Sequence, residues 1–244
     1  MRAFRRTLTY AAFLLLLIAG LTGCVTATTA QPSAQVPGTA SPTETLSPTD
    51  ALTPTEGVPE RPAIMLDGIS LQIPEDWYYA QIDHERMTGL VFVQQDPEEL
   101  GEFIDPDLAL PLDYAVGAVV ITPLPEDSDP EALRQAMIDS VADLTGDDFD
   151  AMVLALDQVG LIDYTAVDGA VLSDAWVDVL ASLPAVVMDG VVIFEDELPP
   201  ELRIQVWLTW TGERFVAYYA VATAQAWPGV EAALATARDS MEIR

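Results

Sequence analysis

The chain has 244 residues, half of them apolar, with 39 acidic residues against 10 basic ones and a formal net charge of -29. All ten basic residues are arginine, and the chain holds one histidine and one cysteine. This length allows one or two domains, and the apolar content excludes a wholly disordered polyanion. The charge argues against nucleic-acid binding and against adhesion to anionic lipid, because both need a basic surface. A single cysteine excludes an intramolecular disulfide, and a single histidine excludes histidine-rich metal sites.

Residues 1–23 have the features of a signal peptide. Three arginines among the first six residues precede an apolar run at residues 11–19, which is shorter than the roughly 20 residues of a transmembrane helix. The run leads into Leu21-Thr22-Gly23-Cys24, which resembles the processing motif of bacterial lipoproteins. The resemblance implies cleavage between Gly23 and Cys24 and a diacylglycerol on the Cys24 thiol. It places the mature chain on the extracytoplasmic side of the cell membrane, or on the outer membrane of a cell that has two.

Residues 24–62 are predicted to be a disordered linker. Of the 38 residues after Cys24, 19 are threonine, serine or proline and none is aromatic, so no core can form there. A six-residue repeat sets Glu44, Asp50 and Glu56 on one edge of a polyproline II helix. We expect a solvated spacer that reaches about 35 Å as a flexible coil and about 120 Å when extended. A single globular domain is predicted over residues 63–244.

Runs of apolar and alternating residues predict the strands of this domain. The predicted strands cover residues 63–66, 69–73, 78–82, 90–95, 115–122, 170–179, 185–194, 202–210 and 214–223. Asp67-Gly68 and Thr211-Gly212-Glu213 indicate hairpin turns. The run 115–122 is apolar throughout, which is typical of a strand buried on both faces. Val167-Asp168-Gly169 is expected to turn the chain into the strand that follows it.

Apolar residues at helical spacing predict three helices. Asp129 suits an N-cap with Pro130 in the first helical position, and apolar residues at 133, 137, 141 and 144 continue the first helix to Gly146. A second, short helix follows Asp147. A third begins near Pro228 and leads into the last residues of the chain.

The order of these elements resembles the PsbP/Mog1-like family. The resemblance rests on the Pro-x-x-Trp segment at 73–77, on Val167-Asp168-Gly169, and on the stretch from Arg203 to Ile243 that ends in Ser-Met-Glu-Ile. It implies an α+β fold with an antiparallel sheet of about six or seven strands covered by helices on both faces. It also implies action by binding or assembly rather than catalysis. These motifs occupy turn and core positions, so no functional residue of the family transfers to this chain.

The titratable residues form no catalytic or metal-binding pattern. His84 lies in a polar turn at 83–86 without a nucleophile motif, so we expect it on the surface. Paired carboxylates can run glycoside hydrolysis only across a cleft; the pairs here are Glu98-Glu99, Asp147-Asp148 and Glu195-Asp196-Glu197. The acidic segments 126–131 and 143–150 lack the spacing of a twelve-residue calcium loop and are interpreted as helix caps. We predict no catalytic residue, no cofactor and no metal site.

Five aromatic residues alternate along the predicted paired strands. They are Trp176, Trp207, Trp210, Tyr218 and Tyr219. They could line a ligand groove, but we expect them to anchor the sheet to its helices.

These features predict a lipid-anchored, extracytoplasmic, non-catalytic domain of the bacterial envelope. Its partners would be the membrane, through Cys24, and an unidentified envelope or secreted protein, with no nucleic acid. One alternative is an extracytoplasmic hydrolase that uses carboxylates. The other is a module that binds a cation or small solute, with Asp147, Asp148 and Asp150 as candidate ligands.

The negative charge belongs to the predicted domain. Cleavage of the signal peptide would remove three arginines and no acid, which leaves 39 acids against seven arginines and a formal charge of -32. Thirty-five of these acids follow residue 62. We interpret the charge as a device for solubility and spacing.

Overall fold

A computed structural model describes residues 63–84, 87–94, 113–125, 128–158, 162, 164–194, 201–212 and 214–243. The predicted signal peptide, Gly23, Cys24 and the linker lie outside these residues. So do the side chain of His84 and the acidic pairs at 98–99 and 195–197. The predictions made for those segments, and the domain boundaries drawn from them, stay predictions.

Within the described residues, ten strands form two antiparallel sheets. The strands are β1 (Ala63–Leu66), β2 (Ile69–Gln72), β3 (Tyr78–His84), β4 (Met87–Val93), β5 (Ala115–Pro123), β6 (Val167–Leu180), β7 (Leu183–Phe194), β8 (Leu202–Thr211), β9 (Arg214–Thr223) and β10 (Glu242–Ile243). The large sheet has the order β3-β4-β5-β9-β8-β7-β6, and the small sheet has the order β1-β2-β10. The predicted antiparallel sheet of six or seven strands is confirmed, with seven.

The described residues also form three α-helices: α1 (Pro130–Ser140), α2 (Gly146–Gln158) and α3 (Trp227–Asp239). Asp129 caps α1 as predicted, since its Oδ1 accepts from the amides of Glu131 and Ala132 at 3.0 and 3.1 Å. The predicted continuation of this helix to Gly146 is wrong. The Ser140 hydroxyl donates to the Met137 carbonyl at 2.8 Å, and the chain tightens into a 3-10 turn at Val141–Asp143 before α2 begins.

The central strands of the large sheet are buried on both faces, and each face has its own core. On the face called here the α1/α2 face, apolar residues of the two helices pack against β5, β7, β8 and β9; they include Met137, Phe149, Met152, Leu156, Val186, Met188, Val206 and Tyr219. The opposite side, the α3 face, is covered by α3 and the small sheet, with Leu66, Ile69, Phe92, Trp207, Tyr218, Trp227 and Leu234 in its core. Strand β5 contributes to both cores, as its continuous apolar sequence predicts. The fold is α+β with helices on both faces of the sheet, as expected.

Two elements differ from the sequence predictions. Val167-Asp168-Gly169 is not a turn but the start of β6, with a register shift between Val167 and Gly169. The last residues form a strand, because Glu242 and Ile243 pair with Ser70 and Ile69 of β2. In the part of the chain that the structure describes, none of the helices has the length and the apolar run that crossing a bilayer requires.

Candidate binding surface on the β6–β7 hairpin

Strands β6 and β7 form a hairpin of 14 and 12 residues at one end of the large sheet. Strand β6 is the edge, and no strand among the described residues pairs with its outer side. The turn consists of Ala181 and Ser182, whose φ angles are 50° and 69°. Both values lie in the left-handed region that glycine and asparagine adopt more readily than alanine or serine. The two turn residues are therefore held in a strained backbone conformation.

Exposed apolar side chains concentrate on this hairpin. Six large hydrophobic residues are exposed in the described part of the chain, and four of them are Val171, Val177, Val179 and Ile193, with exposed fractions of 51, 43, 57 and 38%. Val171 and Ile193 lie on the α3 face, and Val177 and Val179 lie on the α1/α2 face. Each face of the hairpin thus exposes two neighbouring apolar side chains, the kind of surface that partners contact. The hairpin is therefore the strongest candidate for a partner surface.

The α3 face loses its cover along β7. Ala185 and Val187 are fully buried, Asp189 and Val191 are half-buried, and Ile193 is exposed. These residues alternate on one face of a regular strand, so the change in burial follows the covering elements. Helix α3 contacts β5 and β9, and the small sheet contacts β4. The cover reaches the turn end of the hairpin, where Leu180, Ala185 and Val187 lie in the α3 core, and ends before Ile193.

A charged cluster borders the uncovered area. Arg203 on β8 donates to both carboxylate oxygens of Asp189, at 2.7 and 3.2 Å, and Gln205 donates to Oδ2 of Asp189 at 3.1 Å. The Arg203 guanidinium lies 4.5 Å from the ring centroid of Trp227, at the start of α3. The hydrogen bond to Asp189 raises the pKa of Arg203 above its ordinary value. The cluster ties β7, β8 and α3 together with its charges paired.

The hairpin belongs to a stretch of sequence without a positive charge. Residues 135–202 contain 15 acids and no arginine, lysine or histidine. This stretch holds α2, β6 and β7 in full. Arg134 and Arg203, which bracket it, are both engaged, Arg134 with Glu131 and with the Trp210 carbonyl and Arg203 with Asp189. The hairpin and α2 therefore present an anionic surface to solvent.

Two of the three acids considered as cation ligands, Asp148 and Asp150, accept hydrogen bonds from nearby residues. Oδ2 of Asp148 accepts from the amide and hydroxyl of Thr145 at 2.8 and 2.7 Å, which caps the start of α2. Asp150 accepts from the Tyr164 hydroxyl at 2.6 Å, and this hydrogen bond is the main cause that raises the pKa of Tyr164 to about 12. Among the described residues, no three His, Cys, Asp or Glu side chains are grouped so that they could hold a metal ion. The interpretation of 143–150 as a helix cap agrees with these contacts.

The aromatic residues anchor the sheet on both faces, as predicted. Trp207 and Tyr218 lie in the α3 core, and Trp210 and Tyr219 lie in the α1/α2 core. The Tyr218 hydroxyl donates to the Leu234 carbonyl of α3 at 2.7 Å, and burial raises its pKa above the ordinary value. Trp176 differs from the other four because it is only half-buried, on β6.

Sequence reasoning missed the cluster around Asp189. The sequence does contain a signal for this cluster. Asp189 is the one charged residue in the apolar strand 183–194, and Arg203 and Gln205 alternate with apolar residues in β8. Their convergence depends on the register between β7 and β8, which pairs Asp189 with Gln205 and Val191 with Arg203.

No family model matches the sequence, and no curated protein matches it. Among solved structures, the chain is similar to the cyanobacterial PsbP of Synechocystis sp. PCC 6803, with 15% identity, a TM-score of 0.44, and coverage of 73% of this chain and 88% of that one. It is also similar to LpqN of Mycobacterium tuberculosis, described as involved in cell envelope biogenesis (16% identity, TM-score 0.39, coverage 72% and 82%). A protein of unknown function from Pseudomonas aeruginosa gives 16% identity, a TM-score of 0.38 and coverage of 75% and 96%. At these values the similarities assign no function, and membership of the PsbP/Mog1-like family stays a prediction.

Proposed function

We propose that the chain is a lipid-anchored, extracytoplasmic, non-catalytic binding domain of a bacterial cell envelope. The observation that carries the binding role is the β6–β7 hairpin, which holds four of the six exposed large apolar residues in the described ranges. Selection for solubility removes such side chains from a surface that meets only water. Their concentration on one hairpin supports contact with another protein there.

The anchoring role rests on the sequence. The arginine-rich start, the short apolar run and Leu21-Thr22-Gly23-Cys24 support lipidation of Cys24. Two or three acyl chains hold a protein at a bilayer, whereas one chain binds only marginally. A domain that anionic lipid repels would stay at the membrane by this means, and the linker would let it reach partners.

Replacement of the anchoring cysteine tests the location. We expect the wild-type chain to sediment with membranes and to require detergent for release, and Cys24→Ser to appear in the soluble fraction, since serine cannot form the thioether to the lipid. Labelling with a radioactive fatty acid should mark the wild type alone. Retention of the Cys24→Ser variant in membranes contradicts the anchor.

Site-specific photo-crosslinking in intact cells tests the binding role. A photoreactive residue at Val177, which is 43% exposed on the edge strand, should give a discrete adduct with another protein. Met65 on β1 is the matched control, because it is also apolar and is 50% exposed but lies on the small sheet. Absence of an adduct at Val177, or the same adduct at both positions, contradicts a partner surface on the hairpin.

A further inference from the structure

Resting on the proposed binding role, we propose that β6 recognises its partner as an added strand, and that the partner is an extended segment in which basic and apolar residues alternate. Four observations carry this: the unpaired edge, its exposure, the division of charge between its two faces, and its bulge.

The half of β6 that lies next to the turn is largely exposed. Across Ser173–Val179, five of the seven residues are exposed and two are half-buried, in contrast to the neighbouring strand β7. Alternate residues of an edge strand direct their N–H and C=O groups away from the sheet. One amide of this segment, that of Ala175, donates to Oδ1 of Asp174 at 2.8 Å. The segment is about as long as an average strand, so it can pair with a strand from another chain.

The two faces of this segment differ in chemistry. Val177 and Val179 pair with Val186 and Pro184, which places the two exposed valines on the α1/α2 face. The α3 face of this segment carries two carboxylates and an aromatic ring. They belong to Asp174, Asp178 and Trp176, which pair with Asp189, Ala185 and Val187 of β7. A strand added beside β6 would therefore meet valines on one face and an aromatic ring between two carboxylates on the other.

Charge complementarity indicates which kind of segment would bind beside β6. Asp174 lies directly opposite Asp189 on the same face, an arrangement of like charges that disfavours the pair. Arg203 neutralises Asp189, but no ion pair found among the described residues includes Asp174 or Asp178. Arginine or lysine at alternate positions of an incoming strand would pair with these carboxylates and stack on Trp176. The intervening apolar residues would cover Val177 and Val179.

The same features disfavour pairing of β6 with a second copy of the chain. A register shift between Leu172 and Asp174 leaves Ser173 without a partner on β7, and such bulges and edge charges are the devices that protect strands from self-association. Two copies of β6 would also bring their aspartates together. The edge of β6 thus disfavours pairing with a second copy of this chain and favours a segment that carries positive charge.

Calorimetric titration of the full-length chain in detergent tests the proposal. The probe is a synthetic peptide of about seven residues in which arginine and valine alternate, a length typical of a strand. We expect saturable binding that weakens at higher salt, and we expect Asp174→Asn/Asp178→Asn to weaken it by about tenfold, which is ~1.4 kcal/mol. Asp139→Asn/Asp147→Asn, at exposed positions on α1 and α2, removes the same charge away from the edge strand and should change the affinity by less than about twofold.

Two control peptides separate strand addition from general attraction between charges. One has the same composition with the arginines and valines in separate blocks, and the other has methylated nitrogens at alternate residues, which removes main-chain donors. Both should bind at least about tenfold more weakly than the alternating peptide. Hydrogen exchange should slow in the amides of Ser173–Val179 when the alternating peptide is bound. Equal binding of all three peptides, or equal losses in the two aspartate variants, overturns the proposal.

The crosslinking experiment distinguishes this failure from failure of the proposed function. If Val177 gives its adduct in the wild type and equally in Asp174→Asn/Asp178→Asn, the hairpin binds a partner but the two carboxylates do not select it. If the wild type gives no adduct, the binding role itself is wrong. Thermal unfolding of each variant, with a melting temperature unchanged from that of the wild type, confirms that the exposed substitutions leave the fold intact.

Discussion

At the scale of single residues, Gly190 sets how closely α2 approaches the sheet. A Cβ at this position would overlap the Phe149 ring and would lie 2.5 Å from the Val171 carbonyl oxygen. Both neighbours are confined, since Phe149 is fully buried and the oxygen belongs to β6. We expect Gly190→Ala to lower the free energy of unfolding by about 1–3 kcal/mol, measured by urea denaturation. Gly229→Ala is the control, because its Cβ would meet nothing within 4 Å. Equal stability of Gly190→Ala and the wild type would show that α2 can move away.

The raised pKa of Tyr164 should make the stability of the fold depend on pH. Its pKa of about 12 lies above the ordinary value of 10.0, first because of the hydrogen bond to Asp150 and then because of burial. The folded state therefore holds the phenol proton more tightly than the unfolded state. The resulting stabilisation is complete below pH 10 and is lost as the pH rises towards 12.

The measurement is the urea midpoint between pH 10 and 12, compared with Tyr164→Phe. We expect the midpoint of the wild type to fall more steeply with pH than that of the variant, which lacks this phenol. Asp150→Asn should move the pKa of Tyr164 back towards its ordinary value, as followed by ultraviolet absorbance of the phenolate. Parallel pH profiles for the wild type and Tyr164→Phe would contradict the assignment.

At the scale of elements, the turn of the β6–β7 hairpin holds removable strain. Ser182 has a φ of 69°, which costs an L-residue about 1–2 kcal/mol and glycine little. We expect Ser182→Gly to raise the melting temperature by about 2–4 °C, as about 1 kcal/mol does for a domain of this size. Ser182→Ala keeps the Cβ and should give no gain. A melting temperature that is equal or lower in Ser182→Gly would show that the turn is not strained.

The elements themselves were largely readable from the sequence because they follow local rules. Asp129 before Pro130, and Asp67 before Gly68, place a helix cap and a hairpin turn by backbone chemistry alone. The errors arose where distant contacts decide. The 3-10 turn after Ser140 is a local exception, which the apolar periodicity of α1 did not reveal. β10 exists because Glu242 and Ile243 meet β2, more than 170 positions earlier in the chain. The cluster of Arg203, Asp189 and Trp227 was missed for the same reason, since three separate elements supply it.

At the scale of the whole molecule, the charge should make stability depend on salt. The domain carries 35 acids against six arginines, so compaction brings like charges together. A rise from about 0.01 M to 0.1 M sodium chloride shortens the Debye length from about 30 Å to 10 Å and screens this repulsion. We expect the melting temperature to rise over that interval. The rise should be smaller in Asp147→Asn/Asp178→Asn, and a fall would show that ion pairs such as Arg203–Asp189 outweigh the repulsion.

The positions of β1 and β6 in the fold have a consequence for how the molecule stands at a surface. Strand β1, which follows the predicted linker, packs over β4, whereas β6 lies five strands farther along the sheet. At a strand spacing of about 4.8 Å, this separation is about 24 Å. The start of β1 and the edge proposed for the partner thus lie at distant positions across the sheet. With the proposed anchor, a protein held along β6 would stand about that distance from Ala63, the residue at which the predicted linker ends.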